Sequence, residues 1–221
     1  MLALSLLEVF VVYAIPVAAV LIAWLGASAF VFGLARLRPT SLLGADLRQR
    51  VVGRQRTRSG RDVRLSFGYV ALSLAGDNCV QATALHRTAA SLDRRGLRSL
   101  AQVVHAFSKL VTHLDISPRA DIGPGLHVYH GLGTVIGKGT KIGRNALICQ
   151  NVTLGGGPTL GDDVRLWAGA KVIGRITVGD RAEIGANAVV LADVPPDMIA
   201  VGVPASRHLT KESVEPPDLD D

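Results

Sequence analysis

The chain has 221 residues, of which 48% are hydrophobic, with a mean hydropathy of +0.33 and a formal net charge of +6. This length allows one sizeable domain with an appendage, and the high hydropathy predicts a membrane segment. Two cysteines are too few for a disulfide framework and favour a reducing compartment. Five Phe, three Tyr and two Trp leave little aromatic surface for stacking on nucleic acid.

Residues 1–38 are predicted to be a membrane anchor. The stretch 2–35 is almost entirely apolar, and Arg36 and Arg38 follow it. About twenty apolar residues cross a bilayer as a helix, so the stretch suffices for one transmembrane helix. A hairpin of two spans is the alternative. A signal peptide and a buried core helix are the alternatives, but a signal peptide carries its basic residues before the apolar run. The flanking arginines predict that the following residues lie in the cytoplasm.

Residues 39–65 form a basic linker. Its arginines crowd into a short stretch that comprises Arg48, Arg50, Arg54, Arg56, Arg58, Arg61 and Arg64. One interpretation is attraction to anionic membrane lipid, worth about 1 kcal/mol per basic residue near the surface. The other is a solvated loop that sets membrane topology. Nucleic-acid binding is disfavoured because no aromatic residues are interleaved with the arginines.

Residues 66–114 are predicted to be a helical cap with helices at 69–93 and 97–114, separated by the turn signal at 93–96. The second helix has apolar residues three or four positions apart, namely Leu97, Leu100, Val103, Val104, Phe107, Leu110, Val111 and Leu114. A solenoid needs a cap over its terminal coil. We therefore expect these helices to cover the first coil of the region that follows.

Residues 115–205 have an aliphatic residue at every sixth position. With one two-residue insertion after Val128, the series is Ile116, Ile122, Val128, Ile136, Ile142, Ile148, Leu154, Leu160, Leu166, Val172, Val178, Ile184 and Val190. Small residues recur four positions after many of these, and glycine often follows directly. Neither a helix nor an ordinary strand has this period. It predicts a parallel β-helix with a buried column of side chains, and residues 206–221 are predicted to be an acidic tail without periodic structure.

Four segments make a resemblance specific: 115–126, 128–137, 151–156 and the Gly-Val-Pro-Ala sequence at 202–205. Together they resemble the catalytic domain of serine O-acetyltransferases, a branch of the hexapeptide-repeat acyltransferases. The resemblance implies a mainly β fold, a left-handed parallel β-helix, preceded here by α-helices. It also implies a homotrimer that uses acetyl-CoA as acetyl donor, with the site built between neighbouring coils and subunits.

His130 and Asp115 are the predicted catalytic residues. His130 lies two positions after Val128, so its side chain is expected to leave the coil, and the resemblance implies that it is a general base acting on the acceptor hydroxyl. Asp115 matches the aspartate that pairs with this histidine in the family, fixing its tautomer and stabilising the imidazolium. The alternative for Asp115 is a turn residue at the entry to the first coil.

The resemblance also implies a coenzyme A site. Its candidate residues are Gly155 and Gly156 beside the pantetheine arm, Ala168 and Ala186 along the groove, and Lys171 or Arg207 at the phosphates. His127 lies near His130, which raises the question of a metal. The related β-helical carbonic anhydrases need three converging histidines, and none occurs here between 131 and 207, so no metal is predicted.

Two departures from the family concern the acceptor. Tyr129 stands where the family has an aspartate that contacts the amino acid, and the family's loop with an Arg-His pair is missing after Gly156. Both groups recognise a charged amino acid, so we expect the acceptor to be a neutral saccharide hydroxyl of envelope or exopolysaccharide synthesis, free or lipid-linked. L-serine, the acceptor in cysteine biosynthesis, is the second expectation. A non-catalytic membrane scaffold is the alternative from another class.

Overall fold

The computed structural model describes residues 42–55, 73 and 76–210. The predicted membrane anchor at 1–38 and the tail beyond 210 lie outside these ranges, as does the linker at 56–65. No helix within the described ranges has the length and apolarity that a membrane span needs.

The described helices precede the strands, as predicted. They are α1 (Leu42–Gln55), α2 (Asn78–Arg94) and α3 (Arg98–Thr112). The strands are β1 (Asp115–Ile116), β2 (Asp121–Ile122), β3 (His127–Val128), β4 (Val135–Ile136), β5 (Lys141–Ile142), β6 (Leu147–Ile148), β7 (Thr153–Gly155), β8 (Thr159–Leu160), β9 (Arg165–Leu166), β10 (Lys171–Ile173), β11 (Thr177–Val178), β12 (Glu183–Ile184), β13 (Val189–Val190), β14 (Met198–Val201) and β15 (Arg207–Thr210).

The strands form a parallel β-solenoid, because each pairs in parallel with the strand one coil further along. The described part of the chain has a first sheet in the order β1-β4-β7-β10-β13, a second in the order β11-β8-β5-β2, and a third in the order β15-β14-β12-β9-β6-β3. Only the closing β14–β15 pair is antiparallel among these strands. The predicted β-helix is confirmed, and its left-handed sense stays a prediction.

The repeating aliphatic residues form the core. All thirteen are buried, with at most 5% of the residue exposed, and each lies in a strand. The small residues four positions later are buried too, including Thr140, Ala146 and Ala170. At about 25 cal/mol per Å² of apolar surface, this column is the main stabilising element of the solenoid.

The helix α2 begins at Asn78, within the predicted helix 69–93; Ser73 and Gly76 are helical as well, and the other residues at 69–75 lie outside the described ranges. The carboxylate of Asp77 accepts hydrogen bonds from the backbone N–H groups of Cys79 and Val80, at 3.0 and 3.3 Å, and so caps a new helix there. Cys79 and Ala82 of this helix join the apolar column together with Leu114. Side chains of α2 thus extend the column beyond the first coil, and α1 and α3 also contact strands of that coil.

Part of the predicted apolar face of α3 is exposed. Val103 is 64% exposed and Leu110 is 73% exposed, whereas Ala101, Ser108 and Thr112 are buried. Of the other predicted apolar positions, Val104, Phe107 and Val111 are half-buried and Leu114 is buried. The hydrophobic period identified the helix correctly but did not show which of its apolar residues would be covered.

Part of the predicted linker is also a docked helix. Asp46 of α1 is buried; it forms an ion pair with Arg87 of α2 and accepts hydrogen bonds from the N–H groups of Gly125 and Leu126 at 2.9 and 2.8 Å. Arg50 donates to the Val128 carbonyl at 2.7 Å and pairs with the carboxylate of Asp77. Arg50 is thus a structural residue and not part of a solvated loop.

Candidate active site

The candidate site lies along one edge of the solenoid, where the chain passes from the third sheet to the first. Val128, Ile148, Leu166 and Ile184 stack in register in the third sheet. Past these residues, Leu132, Gln150, Ala168 and Ala186 occupy equivalent places, because the N–H groups of Asn151, Gly169 and Asn187 donate to the carbonyls of Leu132, Gln150 and Ala168. His130 lies two residues before Leu132, in the insertion of the first coil. We call this corner of the solenoid, from His130 to Ala186, the 130–186 edge. The predicted general base and two predicted coenzyme A residues therefore lie at the same edge.

His130 is exposed and adopts the left-handed backbone conformation, with φ of 59°. This φ recurs at other turns of the coils, as at Asn145, Asn151 and Asn187, so it does not by itself mark a functional site. The next residue, Gly131, packs so tightly that a Cβ there would lie 2.7 Å from side-chain atoms of both Leu114 and Val128. This tight turn holds the His130 side chain on the outside of the column.

The ring of His130 is open to a substrate. It contacts Tyr129 edge-on, with ring centroids 4.2 Å apart, and no hydrogen bond engages it within the described residues. Tyr129 also contacts the buried His127, at 5.9 Å. The side chain beside the candidate base is therefore an aromatic ring, where the family has a carboxylate.

Asp115 is bound to helix α3 and not to His130. Its Oδ1 lies 2.8 Å from Nε2 of His105, and its Oδ2 lies 3.8 Å from Nζ of Lys109. The Asp115 N–H donates to the Thr134 carbonyl at 2.9 Å, which places Asp115 one coil below the turn that begins at His130. The two predicted catalytic residues thus lie at the same edge, but the described structure contains no direct bond between them.

His105 was missed by the sequence analysis. It is a polar position within the predicted helix 97–114, ten residues before the carboxylate that it contacts. The detectable signal is its spacing from Lys109, since residues four apart share one face of a helix. That face leads to Asp115, where the solenoid begins.

The remaining predicted donor residues are distributed over two sheets. Lys171 is in register with Asp115 on the first sheet through Val135 and Thr153, and its Nζ donates to the Gly169 carbonyl at 2.9 Å. Arg207 begins β15 at the far end of the third sheet; its side chain lies outside the described part.

The glycines predicted to accommodate the donor have a structural role as well. Gly155 accepts a hydrogen bond from the Gly174 N–H at 2.9 Å. Gly156 has φ of 81°, and a Cβ on it would lie 2.9 Å from the Cα of Gly174. Coil stacking alone therefore requires Gly156, so its presence does not by itself indicate a ligand. The chain then turns at Gly157 and enters β8 without an inserted loop.

Neither cysteine is suited to nucleophilic catalysis. Burial raises the pKa of the Cys149 thiol to about 11 and also raises the pKa of Cys79. Both are free and buried, so little thiolate is present at neutral pH. No group of three or more His, Cys, Asp or Glu side chains with the geometry of a metal site occurs in the described ranges.

Comparison with known proteins places this edge in a family context. Residues 157–192 match the model of the bacterial transferase hexapeptide family (six repeats). A serine acetyltransferase of Mycobacterium tuberculosis is 44% identical over 127 residues, which cover 54% of this chain and 56% of the relative. The matched part thus spans little more than half the length of that enzyme.

Two solved structures extend the likeness. A soybean serine acetyltransferase complexed with serine is 38% identical, with a TM-score of 0.65, over 76% of this chain and 68% of the other. A serine acetyltransferase in complex with CoA is 34% identical, with a TM-score of 0.63, over 74% and 68% of the two chains. Both identities are well above the level at which only a fold is shared.

Proposed function

Because this chain belongs to the serine O-acetyltransferase-like hexapeptide-repeat acyltransferases, we propose that it transfers the acetyl group of acetyl-CoA to a hydroxyl. The observation that carries the proposal is the placement of His130. Its ring is exposed, has no hydrogen bond within the described part and is held outside the column by the tightly packed Gly131, and it lies at the same edge of the solenoid as Ala168 and Ala186. A pantetheine arm that follows this edge would bring its thioester to the imidazole.

In this proposal, His130 in its neutral form accepts the proton of the acceptor hydroxyl while the hydroxyl oxygen attacks the thioester carbonyl. The new C–O bond forms as the carbonyl becomes an oxyanion. Collapse of that intermediate breaks the C–S bond, and the imidazolium returns its proton to the departing CoA thiolate. A carboxylate near His130 stabilises the imidazolium, as in the Ser-His-Asp triads, and Asp115 is the candidate.

For the acceptor, we propose L-serine. The supporting relatives are serine acetyltransferases, and one of the similar structures has serine bound. This reverses the preference for a saccharide that the sequence departures suggested. A saccharide hydroxyl stays the second candidate, favoured by Tyr129 beside His130 and by the direct connection from Gly157 into β8.

The acceptor is tested by mixing the purified full chain with acetyl-CoA and L-serine and following release of the free CoA thiol. We expect serine-dependent release that falls by roughly 10²- to 10⁴-fold in His130→Ala. Lys141→Ala, an exposed change on the second sheet, is the control and should keep full activity. Release of the thiol with hexoses but not with serine would select the saccharide. If neither acceptor raised thiol release in the wild type or in His130→Ala, the non-catalytic scaffold would be favoured.

We further propose that the working form is a homotrimer. The support is the exposed apolar surface of one chain, which includes Val103 and Leu110 on α3 and Leu191 after β13. Analytical ultracentrifugation tests this, and a monomer at micromolar concentration would contradict it. Anchoring by residues 1–38 with the β-helix in the cytoplasm is also a proposal, and carbonate washing of membranes that releases the intact chain would contradict the anchor.

A further inference from the structure

The carboxylate of Asp115 is held by two side chains of helix α3. Nε2 of His105 lies 2.8 Å from Oδ1, and Nζ of Lys109 lies 3.8 Å from Oδ2. Only the first distance is that of a hydrogen bond. His105 is therefore the side chain that fixes the orientation of this carboxylate.

The two side chains of the pair differ in exposure. The His105 side chain is 14% exposed, whereas the Asp115 side chain is 43% exposed. An exposed aspartate has several rotamers open to it, and ordering it needs a rigid partner. Helix α3 supplies one, because it packs on α2 and its residues Ala101, Ser108 and Thr112 are buried. His105 lies between these residues in the sequence, on the same rigid helix.

We propose that His105 is a positioning residue for the acetyl transfer, acting through Asp115 on the His130 edge. The inference rests on the proposed function. In this role the Nε2–H of His105 donates to Oδ1 of Asp115, and Oδ2 is left with lone pairs that can accept from an imidazolium. The Asp115 carboxylate then stabilises the charge that forms on His130.

A purely structural role would have a different signature. An ion pair or hydrogen bond with one exposed partner contributes little to stability, so its loss changes the melting temperature little. Misplacement of a catalytic group can lower the rate by about a hundredfold. A large loss in kcat with a small loss in stability therefore identifies positioning.

The test compares His105→Ala and His105→Gln in the full chain, with Gln102→Ala as a control at an exposed position of the same helix. We expect His105→Ala to lower kcat by roughly 10- to 100-fold, with the KM for acetyl-CoA unchanged within about twofold and the melting temperature nearly unchanged. His105→Gln should recover most of kcat, because its amide N–H can donate to the same oxygen. The control should match the wild type.

A double-mutant cycle sharpens the assignment. Asp115→Asn should lower kcat at least as far as His105→Ala, and the double variant should be no slower than Asp115→Asn alone, because His105 acts through that carboxylate. Additive losses would overturn the proposal. So would a large drop in melting temperature in His105→Ala without rescue by glutamine, since that is a structural role.

Failure of this inference and failure of the proposed function are separable. If the wild type turns over and Asp115→Asn and His130→Ala are both impaired, but His105→Ala matches the wild type, the role of His105 is wrong and the function stands. If the wild type shows no acceptor-dependent turnover, or if His130→Ala and Asp115→Asn are as active as the wild type, the proposed function fails and the inference falls with it.

Discussion

The solenoid and its helical end are stabilised in different ways. From β4 onward each coil repeats the last, with an apolar side chain from every strand stacked on its equivalent, as Leu154 is on Ile136 and Val172. The helical end instead depends on single buried polar contacts, above all the ion pair of Asp46 with Arg87. Stability in the solenoid is therefore spread over many equivalent residues, whereas at the helical end it is concentrated in a few.

The largest expected effect comes from breaking the Asp46–Arg87 pair. Burial raises the pKa of Asp46 despite its ion pair with Arg87, so the site already has a desolvation cost that only its partners offset. Asp46→Asn leaves the Arg87 guanidinium buried without its counter-charge, which we expect to cost about 3–5 kcal/mol. Urea unfolding measures the loss, and hydrogen exchange should locate it in α1, α2 and the first coil.

The matched control is Asp162→Asn. Asp162 also accepts two side-chain hydrogen bonds from one arginine, Arg144, both at Oδ2 and at 3.0 and 2.8 Å, but on the exposed surface of the solenoid. Exposed pairs contribute little to stability, because water screens their charges. If both variants lost the same stability, the proposed difference between the two regions would be wrong.

Next in size is a cavity in the apolar column. Leu154 is fully buried, and Leu154→Ala should cost about 2–5 kcal/mol through lost burial and the remaining void. Because coils stack as equivalent units, hydrogen exchange should rise across neighbouring coils and not in one segment. Val135→Ala, which removes a partly exposed side chain from the same sheet, is the control. If the increased hydrogen exchange were confined to β7, stability would not be shared among neighbouring coils.

The same difference decides what could be predicted from the sequence. The six-residue period located the thirteen aliphatic residues of the column, because one rule repeats along the solenoid. No repeat describes the helical end. Asp46 and Arg87 are 41 positions apart, and no local pattern pairs them. The period of α3 likewise could not say which of its apolar residues would be covered. His105 was missed for the same reason, since its partner is set by tertiary packing alone.

A pH-dependent effect of intermediate size is expected from His86, which is buried in α2. Burial lowers its pKa to about 3, from an ordinary value of 6.5. The unfolded chain therefore takes up a proton below pH 6.5 that the folded chain does not, so stability is full above pH 6.5 and falls as the pH drops toward 3. Between pH 7 and pH 5 we expect a loss of roughly 2 kcal/mol.

Denaturant unfolding at the two pH values checks this. His86→Gln removes the titration of this side chain. The free energy of unfolding of the variant is lower at pH 7, but between pH 7 and pH 5 it should fall less than that of the wild type, by about the loss expected from His86. Other histidines titrate in both proteins and cancel in the comparison. An equal pH dependence in the two proteins would show that His86 is not the group responsible.

The smallest expected effect is the contribution of the helix cap at Asp77, whose carboxylate caps α2 and also pairs with Arg50. Asp77→Ala removes both contacts, whereas Asp77→Asn keeps a cap oxygen and loses only the charge that faces Arg50. The asparagine variant should therefore be more stable than the alanine variant by about 1 kcal/mol. Thermal unfolding of the two variants separates the cap from the ion pair. If asparagine recovered nothing, the start of α2 at Asn78 would depend on the docking of Arg50 and not on local capping, and the helical end would be still less readable from its local sequence.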